Sequence, residues 1–158
     1  MIIDSLGNAI ENRIKAQLSS YFSVRVYQLA SELSYFMIEN YVGAGCAIIY
    51  RGSTENQECK VGEKVYDHTY DIFIYQIVWK NTGAVKGFGT AKNSLKKLLE
   101  EMRKKLDNYI FTTELAGKII SARINNYFGT KDFATSGEEA GYGASIGLQI
   151  NYKEHEYE

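Results

Sequence analysis

Proline is missing from all 158 residues, although an ordinary frequency of about 5% would supply about eight. Its absence removes the residue that most effectively interrupts strands and helices, so long unbroken elements are expected. Histidine and cysteine are nearly as scarce, at two each: His68, His155, Cys46 and Cys59. A zinc site needs several His or Cys ligands at workable spacing, and nucleophilic catalysis needs a Cys or Ser held against an oriented base; neither pattern is present. Cys46 and His68 could meet across neighbouring strands, but a small buried hydrophobe and a strand-surface imidazole explain them more simply. Cys46 lies in an apolar run and Cys59 in a polar one, which favours free thiols over a disulfide. Asp67 and Asp71 share a strand face and could act as paired carboxylates, yet solubility of a hairpin accounts for them at less cost.

Charge of one sign is also lacking. The net charge is −1 and the sequence pI about 6.2, which gives no general attraction to nucleic acid or to an anionic membrane. No apolar run approaches the roughly 20 residues that span a bilayer, and no basic segment precedes an apolar one at the N-terminus. A soluble, unexported protein is the expectation. Gly83 to Thr90 superficially suggests a phosphate-binding loop, but Phe88 stands where the second glycine must let backbone approach phosphate, and no Lys precedes Thr90.

What the chain does have is tyrosine, thirteen times, within a 45% hydrophobic composition. Tyrosine suits half-buried sheet faces, and it is also enriched where proteins meet. Both readings stay open at this level. One domain over residues 1–158 is expected, long enough to bury a core.

Lys64 to Lys80 organises the rest. It is dense in Tyr, Ile, Val, Phe and Trp, with no Gly or Pro to break a strand. At about 3.3 Å per residue it would span roughly 55 Å, so the half before Ile72 is expected to project as a hairpin arm. A second amphipathic helix begins near Thr90 and repeats Ala91, Leu95, Leu98, Leu99, Met102 and Leu106 at helical spacing. Its basic residues face Glu100 and Glu101, which predicts i,i+4 pairs with Lys104 and Lys105 on a solvated face.

Around this pair, Ile3, Leu6, Ile10, Ile14 and Leu18 predict a first helix over Ser5 to Leu18, capped by Asp4, with Glu11 and Lys15 paired. Val24 to Gln28 reads as a short strand, and Ala30 to Tyr41 as either a short helix or extended chain. Cys46 to Tyr50 reads as a central strand, and Thr54 to Glu63 as a surface loop or hairpin tip. Asp107 to Leu115 is a connector. Lys118 to Phe128 and Ala144 to Tyr152 alternate apolar and polar side chains, as an antiparallel pair does when one face covers a core. Gly129 to Gly143 reads as a mobile loop, and Lys153 to Glu158 as a frayed tail. The expected fold is α/β of the α+β kind: a single mixed, mainly antiparallel sheet, two main helices on one face, and a projecting long β-hairpin.

Several stretches carry a family resemblance: the helix IIDSLGNAIENRIKAQL, the V-R-V-Y strand, GCAIIYRGS, YDIFIYQIVWKN, the G-x-G lead into NSLKKLLEEMRKKL, and a closing strand pair. In this order they resemble the tail-terminator family of Mu-like phages and related contractile tails. Relatives usually bring proline to the segment before the GCAIIY-type strand, and here Leu29 to Val42 has none. The resemblance implies a structural virion protein with no cofactor. Six copies would form a ring on the head-proximal end of a tail tube, end its polymerisation and offer a surface for head joining. Its partners would be copies of itself, the tube protein, and sheath or head-completion proteins, with assembly in the host bacterial cytoplasm and final residence in the virion tail. No membrane and no sequence-specific nucleic acid is implied.

On this reading the arm from Thr54 to Tyr70 reaches a neighbour. Tyr66, His68, Tyr70, Arg51 and Arg123 are the expected subunit contacts, Lys96, Arg103, Glu138 and Glu139 face the tube or other partners, and 129–143 orders on assembly. A head-completion or tail-completion connector, a monomeric small-ligand binding domain and a cysteine-dependent enzyme are the alternatives.

Overall fold

The apolar spacing near the N-terminus produces helix α1, Ile3–Leu18, with Leu6, Ile10 and Ile14 fully buried along one stripe. The computed structural model describes residues 2–18, 25–29, 43–57, 60–78, 96–134 and 142–157. Asp4 sits inside the first turn of α1 rather than before it, because Leu6 N–H already donates to Ile2 O at 3.0 Å. Its carboxylate favours that helix end through the dipole instead of as a cap.

Five strands follow: β1 (Arg25–Leu29), β2 (Gly43–Asn56), β3 (Glu63–Val78), β4 (Ile119–Ala134) and β5 (Tyr142–Tyr157). The second helix, α2, is described over 96–106 and lies between β3 and β4. The strands form one sheet in the order β1-β2-β3-β5-β4, parallel between β1 and β2 and antiparallel elsewhere. The fold is therefore the expected α+β arrangement, a mixed and mainly antiparallel sheet. Ala30 to Tyr41, Gly83 to Thr90, Cys59, Ala91 and Leu95 fall outside the described residues.

Alternation decides which side of the sheet faces the helices. Cys46 and Ile48 on β2, Tyr70, Ile72 and Ile74 on β3, and Ile146 to Tyr152 at every second position of β5 share one core cluster with Ile120 and Ala122 on β4. Leu6, Ile10 and Ile14 of α1 and Leu98, Leu99, Met102 and Leu106 of α2 belong to that same cluster, so both helices cover one face. Each fully buried aliphatic side chain there contributes about 1.5–3 kcal/mol.

The long hairpin differs from the expected free arm. β3 pairs on β5 along its whole length, from Val78 opposite Tyr142 to Glu63 opposite Tyr157, while β2 continues to Asn56 opposite Val65. β4 joins at Ile119, opposite His155, so four strands lie side by side at the hairpin end. The reason is that the core runs to that end as well: Phe111 and Leu115, from the connector after α2, are buried there and Phe111 N–H donates to Ile120 O at 2.9 Å.

Other boundaries shift for the same reason. Of the expected loop over Thr54 to Glu63, β2 takes the part up to Asn56 and β3 begins at Glu63, β4 and β5 extend into the expected loop over 129–143, and the expected frayed tail is strand as far as Tyr157. Asn108, at φ 60, ends α2 in the left-handed conformation that asparagine tolerates. Among the described residues, no helix is long and apolar enough to cross a membrane.

Candidate functional site

Two kinds of polar surface emerge, one sealed under the helices and one open on the far side of the sheet. The sealed one is built from β3 and β5. His68 and Glu154 lie diagonally across this pair on the core face, and both are completely buried. His68 Nε2 and Glu154 Oε2 are 2.8 Å apart, while the other carboxylate oxygen accepts from Lys118 Nζ at 3.2 Å. On its other side His68 Nδ1 is 3.2 Å from the Tyr50 hydroxyl. A neutral imidazole with its proton on Nε2 satisfies this arrangement, donating to Glu154 and accepting from Tyr50.

Burial pushes the Glu154 carboxyl up, but the hydrogen bonds from His68 and Lys118 outweigh it and hold the group below the ordinary glutamate value. Lys118 also reaches Glu156, at 3.3 Å, which ties the end of the connector to β5. Chemically the group can lock two strands and a connector together. His68 and Glu154 lie beyond the reach of a substrate.

An aromatic ladder crosses the core beside this network. Tyr50, Tyr70, Tyr152, Phe111 and Tyr109 follow one another with ring centroids 4.7–5.9 Å apart. Arg13 closes the ladder, its guanidinium 3.3 Å from the Tyr109 ring centroid, and its Nε donates to Lys105 O at the end of α2 at 2.7 Å. Tyr70 donates its hydroxyl to Ile3 O at 3.2 Å, whereas the buried Tyr152 hydroxyl has no partner among the described residues. Burial raises both phenols above the ordinary tyrosine value. Part of the tyrosine enrichment is therefore core packing.

The open face is different. Alternation from Ile49, which stands opposite Asp71, puts Arg51 on it beside the irregularity between Tyr50 and Gly52; Arg51 Nε meets Asp71 Oδ2 at 2.5 Å and Gln149 Nε2 donates to Asp71 Oδ1 at 3.0 Å. Further toward the hairpin, Asp67, Ser121, Arg123, Asn125, Asn151 and Lys153 line a depression of about 460 Å³. A second depression, about 540 Å³, runs along α1 on the helical side, between Asn8, Asn12 and Gln17 and the connector residues Tyr109 and Glu114. Tyr109 donates its hydroxyl to Glu114 at 2.9 Å.

The expected contact residues divide accordingly. His68 and Tyr70 are internal, 0% and 2% exposed, and cannot present themselves to a neighbour; their period-2 positions put them on the core face. Tyr66 is half-buried, its ring 6.5 Å from His68. Arg51 and Arg123 are exposed on the open face, the first engaged with Asp71 and the second in the depression. Lys96 is exposed on α2, and Arg103 pairs with Glu100 at 3.2 Å. Glu138 and Glu139 lie outside the described residues.

The salt bridges on α2 are i,i+3, Glu100 with Arg103 and Glu101 with Lys104, rather than the i,i+4 pairs expected. On α1 the i,i+4 pair of Glu11 and Lys15 forms at 3.6 Å. Cys46 stands opposite Ile74 and His68 opposite Ser53, so the two do not meet; burial, with Glu11 nearby, pushes the thiol up to about 12. Asp67 and Asp71 share the open face, but Asp71 is held by Arg51 and Gln149.

Sequence reasoning missed Glu154, Lys118 and Lys153. The signal was present in Asn151 to Tyr157, where the two-residue alternation of the strand continues through charged residues. Among the described residues, no group of three or more His, Cys, Asp or Glu could hold a metal ion.

No family model and no curated protein matches the chain. A solved structure that carries no functional description aligns over 98% of this chain and 96% of its own, with a TM-score of 0.51 and 11% identity. At that identity the likeness speaks for the fold alone: the chain is similar to that protein in its α+β architecture from end to end.

Proposed function

We propose that this chain is a structural protein of a phage-type contractile tail, a terminator that closes the head-proximal end of the tail tube as a ring and presents the surface for head joining. The sequence resemblance supplies the identity. The observation that carries the reading in three dimensions lies on β4 and β5, where exposed Ile119 and Tyr157 stand near charged residues on the sheet face turned away from the core cluster that holds α1 and α2. Such a surface, apolar at one part and polar around it, has the anatomy of a protein contact. The segments that carry the resemblance also fall on successive elements, α1, β1, β2, β3, α2 and the β4–β5 pair, which supports it further.

Light scattering on the purified chain is the direct test, with negative-stain images of chain mixed with tail tubes. The expected result is a ring of about 107 kDa, six copies of 17.9 kDa, seated on one end of the tube. A monomer at every concentration, which also leaves tube ends bare, would overturn the reading.

A further inference from the structure

Polar side chains from three strands converge on the depression in the open face, and register puts them there. Asp67 on β3, Lys153 on β5 and Ser121 on β4 stand in one row across the sheet; Thr69, Asn151 and Arg123 stand in the next. Residues opposite one another in such ladders point to the same side, and diagonal neighbours lie within side-chain reach. Arg123 and Lys153 are diagonal neighbours of this kind, so two cations stand side by side. Asn125 completes the wall beside the irregularity between Ile124 and Asn126.

The charges to either side are engaged with one another. Asp71 is held by Arg51 and Gln149, and His155 Nδ1 lies 2.6 Å from Glu63 Oε1. Arg123 and Lys153 differ: neither forms an ion pair with a described residue, although Asp67 stands directly opposite Lys153. The carbonyl oxygen of the Asn151 side chain accepts from Thr69 Oγ1 at 3.0 Å, which leaves the amide NH2 to donate at the wall of the depression. The Ser121 hydroxyl is a further donor.

The depression thus presents two positive charges, neutral N–H and O–H donors, and one carboxylate that only accepts. Two adjacent cations match a doubly charged oxyanion better than a single carboxylate. A phosphate monoester carries about −1.5 to −2 charges near neutral pH and has three acceptor oxygens, and a guanidinium fork suits it. Asp67 repels such a group if it lies close, but accepts from a hydroxyl beside it. The same carboxylate, with a chain net charge of −1, opposes a polyanion such as nucleic acid. The volume, about 460 Å³, suits a small molecule, whose sites usually measure about 300–1,000 Å³.

We propose that this depression binds a small phosphate monoester of the polyol or sugar class, with a hydroxyl close to its phosphate. Arg123 and Lys153 hold the phosphate, Asn151 and Ser121 donate to its oxygens, and Asp67 accepts from the hydroxyl. The site is additional to the assembly role above and does not depend on it.

The test uses the full chain at low salt, because salt screens exposed charges. Glycerol phosphate is the probe, with glycerol and inorganic phosphate as controls. Binding is read from broadening of the small molecules' own phosphorus and proton magnetic resonance signals, which serves at any oligomeric state. Saturable binding of glycerol phosphate in the millimolar range is expected, with none of glycerol and several-fold weaker binding of inorganic phosphate. Arg123→Ala and Lys153→Ala should each weaken it by about 10-fold or more. Asp67→Ala should tighten inorganic phosphate and erase the preference for glycerol phosphate, a change that a merely structural role would not produce. Circular dichroism checks that each variant is folded.

No saturable broadening at tens of millimolar, broadening that both cation variants leave unchanged, or equal affinity of the wild type for glycerol phosphate and inorganic phosphate overturns the proposal. A duplex DNA oligonucleotide that binds more tightly than glycerol phosphate, and loses that affinity in the same variants, assigns the cations to nucleic acid and overturns it as well.

Discussion

On the helix-covered face of the sheet the buried imidazole and carboxylate, His68 and Glu154, are held by named partners, whereas on the open face Arg123, Lys153 and Asp67 meet no described partner of opposite charge. The difference follows from what surrounds each set. Glu154 is enclosed by protein, so its charge persists there because His68 and Lys118 occupy both of its oxygens. Lys153, one residue earlier on the same strand, points the other way and is exposed. A one-residue step along β5 thus separates a group enclosed in the fold from one that faces outward.

The sharpest way to break that comparison is to remove the enclosed carboxylate. Glu154→Ala is expected to cost about 3–5 kcal/mol in urea unfolding, because it strands the other members of a buried polar network; a loss under about 1 kcal/mol would mean that the network is not sealed. Its pH dependence carries a definite sign. Since the folded-state pKa lies below the unfolded value, Glu154 contributes stability that is present above the ordinary glutamate value of 4.5 and lost as pH falls through the lowered one. Acid titration of wild type against Glu154→Gln should show a steeper loss of stability in the wild type, the remaining slope coming from other lowered carboxylates such as Glu156.

Glycine offers a comparison of the same two faces with smaller stakes. A Cβ on Gly147, on the open face, would stand 2.7 Å from both Ile72 O and the Phe73 ring, so Gly147→Ala is expected to cost about 1–3 kcal/mol by overpacking against backbone. At Gly7, on the helical side, the clash is with the end of the flexible Gln28 side chain. There the helix-propensity gain of up to about 1 kcal/mol offsets loss of the bond from Gln28 to Asn8, and thermal melts of Gly7→Ala should lie close to wild type.

The smallest effect belongs to Tyr152→Phe. Deleting a buried hydroxyl that no described residue satisfies should leave stability unchanged or raise it by about 1 kcal/mol. A clear loss in the same denaturation series would show that the hydroxyl has a partner.

Much of the fold was legible because it rests on periodicity. The helical spacing of Leu98, Leu99, Met102 and Leu106 and the alternation from Ile146 to Tyr152 each specify which side is covered, whatever lies above it. The candidate contact surface was not legible in the same way. His68 and Tyr70 read as surface residues of an arm because the length of Lys64 to Lys80 suggested a ribbon reaching past the core. Nothing local announces that β5 and β4 run beside it. Ile119 and Tyr157 stand far apart in sequence, each unremarkable alone; pairing between distant strands makes them one patch.

Composition and spacing by themselves determined that two amphipathic helices would cover one side of a long, unbroken sheet, since burial of apolar stripes is a local demand that each segment states for itself. Strand order and register decided the rest. Which charges are enclosed with partners, and which stay open beside exposed apolar residues, depends on β5 lying between β3 and β4, a long-range choice that no single segment encodes.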